Sequence, residues 1–198
     1  MTAPMLALPA AGEDRSRYLS ATRLGVLMYA IAMGMAEVGL VGAYLAVRHS
    51  SSKFTPGPYH ENNYQATMIT VAMILAAVTV EWFVWAVRTR ERRQAMFAAA
   101  LTALFGIGFL NGLTYLLRTS RIGPGNSPFA ALFWSFMVFN AVLAVIGLGA
   151  LFISVLRVQG GQASLAEPHT VRAAGWLWQL AVVCWLVTWF YVFFLYKN

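Results

Sequence analysis

The stretch from Leu24 to Val47, LGVLMYAIAMGMAEVGLVGAYLAV, holds 24 residues and a single charge, Glu37. A helix needs about 20 mostly apolar residues to cross the hydrocarbon of a bilayer, so this run predicts a transmembrane helix. Four more stretches meet the same requirement: Tyr64 to Val87, Met96 to Leu117, Pro128 to Leu156 and Ala173 to Tyr196. The whole chain agrees, with 60% apolar and 11% charged residues and a mean hydropathy of +0.64, a composition foreign to a soluble domain. The predicted fold class is therefore an all-α integral membrane bundle of five transmembrane helices. Short loops leave no room for another domain, so residues 21–198 form one transmembrane unit. Residues 1–20 read as a polar tail without the basic start and apolar core of a cleavable signal peptide.

Lysines and arginines divide unevenly between the two sides. Nine fall on one side: Arg15, Arg17, Arg23, Arg88, Arg90, Arg92, Arg93, Arg157 and Arg172. Five fall on the other: Arg48, Lys53, Arg118, Arg121 and Lys197. The positive-inside rule then predicts a cytoplasmic N-terminus and an outside C-terminus. The net charge of +7 comes from these arginines at the membrane edge, where anionic headgroups attract them, and so argues against nucleic-acid binding. Arg88, Arg92, Arg93 and His169 are the candidate contacts for lipid headgroups or partner subunits. Arginine outnumbers lysine twelve to two, which hints at a GC-rich bacterial genome, and the expected location is a bacterial cytoplasmic membrane.

Redox and metal chemistry finds few ligands. His49 and His60 fall in the first outside loop and His169 in the last inside loop, so no histidine pair faces across the bundle to hold a haem. A metal site from His49, His60 and Glu61 is one reading, and solvated loop histidines are the plainer one. Cys184 stands alone and reads as a packing residue. Met28, Met33, Met35, Met68 and Met73 are compatible with Cu(I), but their spacing fits gap-filling in helices better. Gly39, Gly42 and the Gly108–Gly112 GxxxG read as close-contact points between helices. Trp176, Trp178 and Trp189, with Tyr191 and Tyr196, read as aromatic belts at the two interfaces.

Two intramembrane carboxyls remain. Glu37 is the fourteenth residue of its span and so lies near mid-membrane, with no basic residue in reach on its own helix. A carboxylate at that depth costs roughly 2.5–3.5 kcal/mol on insertion scales. Either a protonated carboxyl hydrogen-bonded to another helix, or one exchanging protons with a polar cavity, satisfies this cost. Glu81 precedes Arg88 by seven residues, about 10 Å along a helix. Pairing with Arg88 or another inner-side arginine is its plain reading.

The order of motifs resembles the haem-copper oxidase subunit III family in its five-helix bacterial form. Ala36 to Arg48 is similar to the family helix with a mid-membrane carboxyl, a later Tyr and a terminal Arg. Val78 to Trp82, followed by the basic run Arg88 to Arg93, is similar to the next helix and its turn. Ser127 to Phe136 resembles the start of the family's His-bearing helix, and Glu167 to Gln179 the loop and aromatic start of the last one. The departures mark a divergent member. Asn140 and Leu143 stand where the family has two histidines, Asn111 and Thr114 where it has Gln and Glu, and Gln179 and Val182 where it has His and Asp. Asn111, Thr114, Asn140 and Gln179 are left to form a thinned interhelix polar network.

The resemblance implies a chain with no catalytic site and no directly bound metal or haem. It would pack against a catalytic subunit that carries haem and copper, hold phospholipid in a cleft, and support stability, oxygen access and proton uptake. Glu37 would be the family's mid-membrane carboxyl. An accessory subunit of a nitric oxide reductase is the nearest alternative. From another class, a free-standing proton or cation transporter would use Glu37 and Glu81, although five helices without an internal repeat do not fit secondary-transporter architecture.

Overall fold

A computed structural model of the chain describes residues 11–50, 63–160 and 168–194, with side chains omitted for 11–20, 22, 168 and 169. Lys53, His60, Glu61, Glu167, Tyr196 and Lys197 therefore lie outside the described residues. The elements are α1 (Ala11–Ser50), α2 (Asn63–Arg88), α3 (Arg92–Thr119), α4 (Pro128–Gln159) and α5 (Pro168–Trp189). A π-helical turn over Phe190–Phe194 continues α5. All five helices are long and apolar enough to cross a membrane, and the described residues contain no strand.

Two stretches bear on the expected boundaries. Helix α1, described from Ala11 to Ser50, includes part of the stretch read as tail. Its 40 residues reach about 60 Å, twice the hydrocarbon thickness. The basic loop between α2 and α3 shrinks to Thr89–Glu91, and Arg92 and Arg93 belong to α3. This turn is a Schellman motif, with Arg90 N–H donating to the Val87 carbonyl at 3.3 Å and Glu91 N–H to the Ala86 carbonyl at 3.0 Å. Arg90 takes the left-handed position at φ 65°, usually a glycine's place. At the other end, Ser127 caps α4 by accepting from Ala130 N–H at 3.0 Å, and Pro128 occupies the first turn.

The α2–α3 hairpin is the most extensive helix pair, and α5 lies at the centre, packed on α2, α4 and α1. Alanines make close approach possible: Ala66, Ala76 and Ala86 on α2 and Ala95, Ala98 and Ala99 on α3 are all buried. Trp185 of α5 packs edge-on against Phe109 of α3, ring centres 4.9 Å apart, and its indole N–H donates to Thr70 of α2 at 2.9 Å. Thr102 of α3 donates to Thr79 of α2 at 2.9 Å. Helix α1 is held more thinly. Among its described side chains, only Glu37, Val41 and Tyr44 are buried, one stripe at helical spacing turned to α4 and α5.

Trp178 departs from the expected aromatic belt. It is fully buried, in a slot made by two glycines from neighbouring helices. A Cβ at Gly106 would lie 2.6 Å from Trp178 Cη2, and one at Gly147 2.6 Å from its Cε3. Gly112 packs as expected, its Cβ position colliding with Ile69, whereas Gly108, Gly39 and Gly42 face open space. Gly147→Ala is therefore expected to destabilise the bundle by about 1–3 kcal/mol through overpacking. Gly149→Ala, whose Cβ would meet nothing within 4 Å, should hold or raise stability through helix propensity. Thermal unfolding of the two variants in one detergent separates them; equal midpoints would refute the glycine slot.

Candidate functional site

Glu37 is buried where α1 crosses α4 and α5, and one hydrogen-bonded chain joins the three helices. Thr188 Oγ1 donates to Glu37 Oε1 at 2.8 Å. Asn140 Nδ2 donates to Thr188 Oγ1 at 2.8 Å and to the Phe136 carbonyl at 3.0 Å. The direction of the chain follows from chemistry. A backbone carbonyl only accepts, so the Asn140 nitrogen faces it, Thr188 receives that amide's proton, and its own hydroxyl proton points to the carboxyl. Fractional exposures of 3% for Glu37, 1% for Asn140 and 0% for Thr188 put the whole chain out of contact with lipid.

The chain is incompletely saturated. Glu37 Oε2 and Asn140 Oδ1 make no hydrogen bond among the described residues. Glu37 bonds Thr188 and no charged group among those residues, so the site is a carboxyl in a neutral polar setting. Tyr44, two turns further along α1, closes the same face against Phe136 with ring centres 6.2 Å apart. The arrangement can clamp α1 to the bundle and keep one carboxyl oxygen for a proton.

Glu81 occupies a separate site on α2 and α5. Its Oε2 lies 3.5 Å from Arg172 Nη1. Gln179 Nε2 donates to the Ala77 carbonyl at 3.2 Å and makes a long contact of 3.5 Å to Glu81 Oε1. The arginine partner is thus Arg172, not Arg88, which is exposed at the end of α2. Arg172 also lies over the Trp176 ring at 5.9 Å. With 44% of the Glu81 side chain and 35% of the Arg172 side chain exposed, this is a surface ion pair.

The four residues expected to hydrogen-bond one another are kept apart. Asn111 is exposed on α3, and Thr114 donates to the Leu110 carbonyl of its own helix at 2.9 Å. Asn140 belongs to the Glu37 chain and Gln179 to the Glu81 pair. Helix rotation decides this, since Asn111 and Thr114 share the outer face of α3. Thr188 went unnoticed in the sequence, although a lone hydroxyl in the apolar second half of α5 was its signal. Of the basic candidates, Arg88 and Arg93 are exposed, and exposed Arg92 donates to the Gln159 carbonyl at 2.9 Å, capping the end of α4. The side chain of His169 lies outside the described residues.

Metal ligands do not gather. Among the described residues no three His, Cys, Asp or Glu side chains converge. His49 is exposed, Cys184 is buried, and Met28, Met35 and Met68 face outward while Met73 lies in the core.

The geometry defines a multi-pass helical membrane protein whose central helix holds a buried carboxyl in place. Within that class, the chain is similar to cytochrome c oxidase subunit 3. It is 28% identical over 158 residues to the subunit of Tetraodon nigroviridis and 28% over 158 residues to that of Salmo salar, covering 74% of this chain in each case. The subunit of Gadus morhua is 29% identical over 126 residues, covering 62% of this chain and 48% of the relative. The chain spans about 60% of the length of the Tetraodon and Salmo proteins. No family model matches it.

Removing the central hydroxyl tests the clamp. Thr188→Val leaves the buried Glu37 and Asn140 groups without their shared partner, at a cost of about 1–3 kcal/mol. Thr188→Ser keeps the hydroxyl and should retain most of the stability. Thermal unfolding in detergent is the readout, and equal loss in both variants would assign Thr188 to packing alone.

Proposed function

We propose that this chain is a non-catalytic, subunit III-like component of a respiratory haem-copper oxidase in a bacterial cytoplasmic membrane. Its N-terminus lies in the cytoplasm and its C-terminus outside. Its direct partners are the catalytic subunit, which carries the haem and copper, and phospholipid. The observation that carries this reading is the similarity to cytochrome c oxidase subunit 3 over 158 residues, through a chain folded as five spanning helices.

The Glu37 site fits a supporting role. Its hydrogen bonds link α1 to α4 and α5, and a packed helix bundle offers a partner subunit a fixed surface. The transporter reading requires carboxyls that exchange protons or cations along a path. Glu37 is enclosed by neighbouring helices and Glu81 is paired with Arg172 on the outside of the bundle, so neither favours it. The choice between an oxygen-reducing and a nitric oxide-reducing host falls to turnover with each acceptor.

Affinity isolation of the chain from its native membrane in mild detergent tests the proposal. Haem absorption bands and a co-purifying catalytic subunit are the expected result, and a colourless self-associated protein would refute it. In the isolated complex, Glu37→Gln should keep assembly and initial activity while turnover declines faster with time. Unchanged activity throughout would remove any functional role for this carboxyl.

A further inference from the structure

Two planar groups meet where α1 crosses α4 and α5, and each has two ends. The Glu37 carboxyl offers Oε1 and Oε2, and the Asn140 amide offers Nδ2 and Oδ1. Thr188 Oγ1 stands between one end of each, 2.8 Å from Glu37 Oε1 and 2.8 Å from Asn140 Nδ2. The other ends, Glu37 Oε2 and Asn140 Oδ1, are buried and bond neither each other nor any other group among the described residues. Two covalent bonds separate the ends of each group, so both unpartnered oxygens lie within about 5.4 Å of the Thr188 hydroxyl.

The two oxygens are chemically complementary. Thr188 donates to Oε1, which leaves Oε2 as the place of the proton in a neutral carboxyl, and burial in hydrocarbon favours that neutral form. Oε2 is then a donor in want of an acceptor. Asn140 Oδ1 is an acceptor in want of a donor, because the amide nitrogen is the atom turned to Thr188 and to the Phe136 carbonyl. The Thr188 hydroxyl holds the carboxyl and the amide one oxygen atom apart at their near ends. A group of the same size at the far ends, able to accept one proton and give one, completes the set.

We propose that Glu37 Oε2 and Asn140 Oδ1 bind one buried water molecule, which closes a ring of four hydrogen bonds through Thr188. Every donor then points the same way round: Asn140 N–H to Thr188, Thr188 O–H to Glu37 Oε1, Glu37 Oε2–H to the water, and the water to Asn140 Oδ1. Bonds in such a closed chain strengthen one another. Internal waters characteristically serve buried polar groups that would otherwise be unsatisfied, and two partners suffice. Water also suits the ionised carboxyl, since it can turn to donate to both oxygens. A hard cation asks for about six or more oxygen ligands, whereas the carboxyl and the amide supply two unpartnered oxygens. The water seat depends on these three side chains and not on which complex hosts the chain.

A structure of the full chain, in the assembly in which it is isolated and at a resolution that shows ordered water, tests the site. One density about 2.5–3.2 Å from both Glu37 Oε2 and Asn140 Oδ1 is expected. It should persist in Thr188→Ser, which keeps the hydroxyl, and in Glu37→Gln, whose amide N–H replaces the carboxyl proton. It should be lost in Asn140→Leu, and likewise in Glu37→Met if Asn140→Leu fails to fold. Direct contact between the carboxyl and the amide, or a well-ordered site without the density, would overturn the proposal. So would a density that survives in the folded Asn140→Leu or Glu37→Met variant, or one ringed by oxygens at about 2.0–2.6 Å, which would be a cation.

Discussion

Hydrocarbon offers no hydrogen bond to Glu37, and the position of α1 depends on how the protein replaces it. The donor that reaches the carboxyl is Thr188 on α5, and Thr188 is itself oriented by Asn140 on α4. Three helices meet because three polar groups must meet, since an unanswered polar group inside a membrane costs more than the modest net value of the bond itself. Apolar burial cannot do this work alone, because lipid tails are as apolar as the outward side chains of α1. Val41 and Tyr44 then pack on the face that Glu37 has already turned inward.

Helix α5 serves as hub for the same reason. It supplies Thr188 to α1 and α4, Trp185 to Thr70 on α2, and Gln179 to the Ala77 carbonyl on α2. Between these bonds, Trp178 fills the space left by Gly106 on α3 and Gly147 on α4. Polar bonds choose which faces of α5 turn to which neighbour, and the glycine slot sets how close the neighbours come. The α2–α3 hairpin is less dependent on the hub, since a three-residue turn and rows of buried alanine bring its helices together directly.

The five spans are legible in the sequence because hydrocarbon thickness imposes a length that any reader can count. The cost of placing Glu37 at mid-span is equally plain, and so is the need of Glu81 for an arginine. The partners are not plain. Asn111, Thr114, Asn140 and Gln179 look equivalent as polar residues in apolar helices, yet rotation about each helix axis puts Asn111 on an outer face and Asn140 in the core. Trp178 and Trp176 differ by two residues, and 200° of helix turn separates a buried slot-filler from an exposed ring. Composition tells which groups are expensive, whereas the identity of the neighbour is a property of packing between helices distant in sequence.

The amide of Asn140 suits the crossing of α1, α4 and α5. An amide at this position donates to both the Phe136 carbonyl and the Thr188 hydroxyl, a pair of bonds that a neutral imidazole, with one N–H, cannot make simultaneously. Asn140 therefore ties α4 to α5 without placing a titratable base beside the carboxyl. What remains at the crossing is Glu37 among neutral hydrogen-bonding groups. Among the described residues, Thr188 is the side chain hydrogen-bonded to Glu37, so the polar link from α1 to α4 and α5 runs through that hydroxyl.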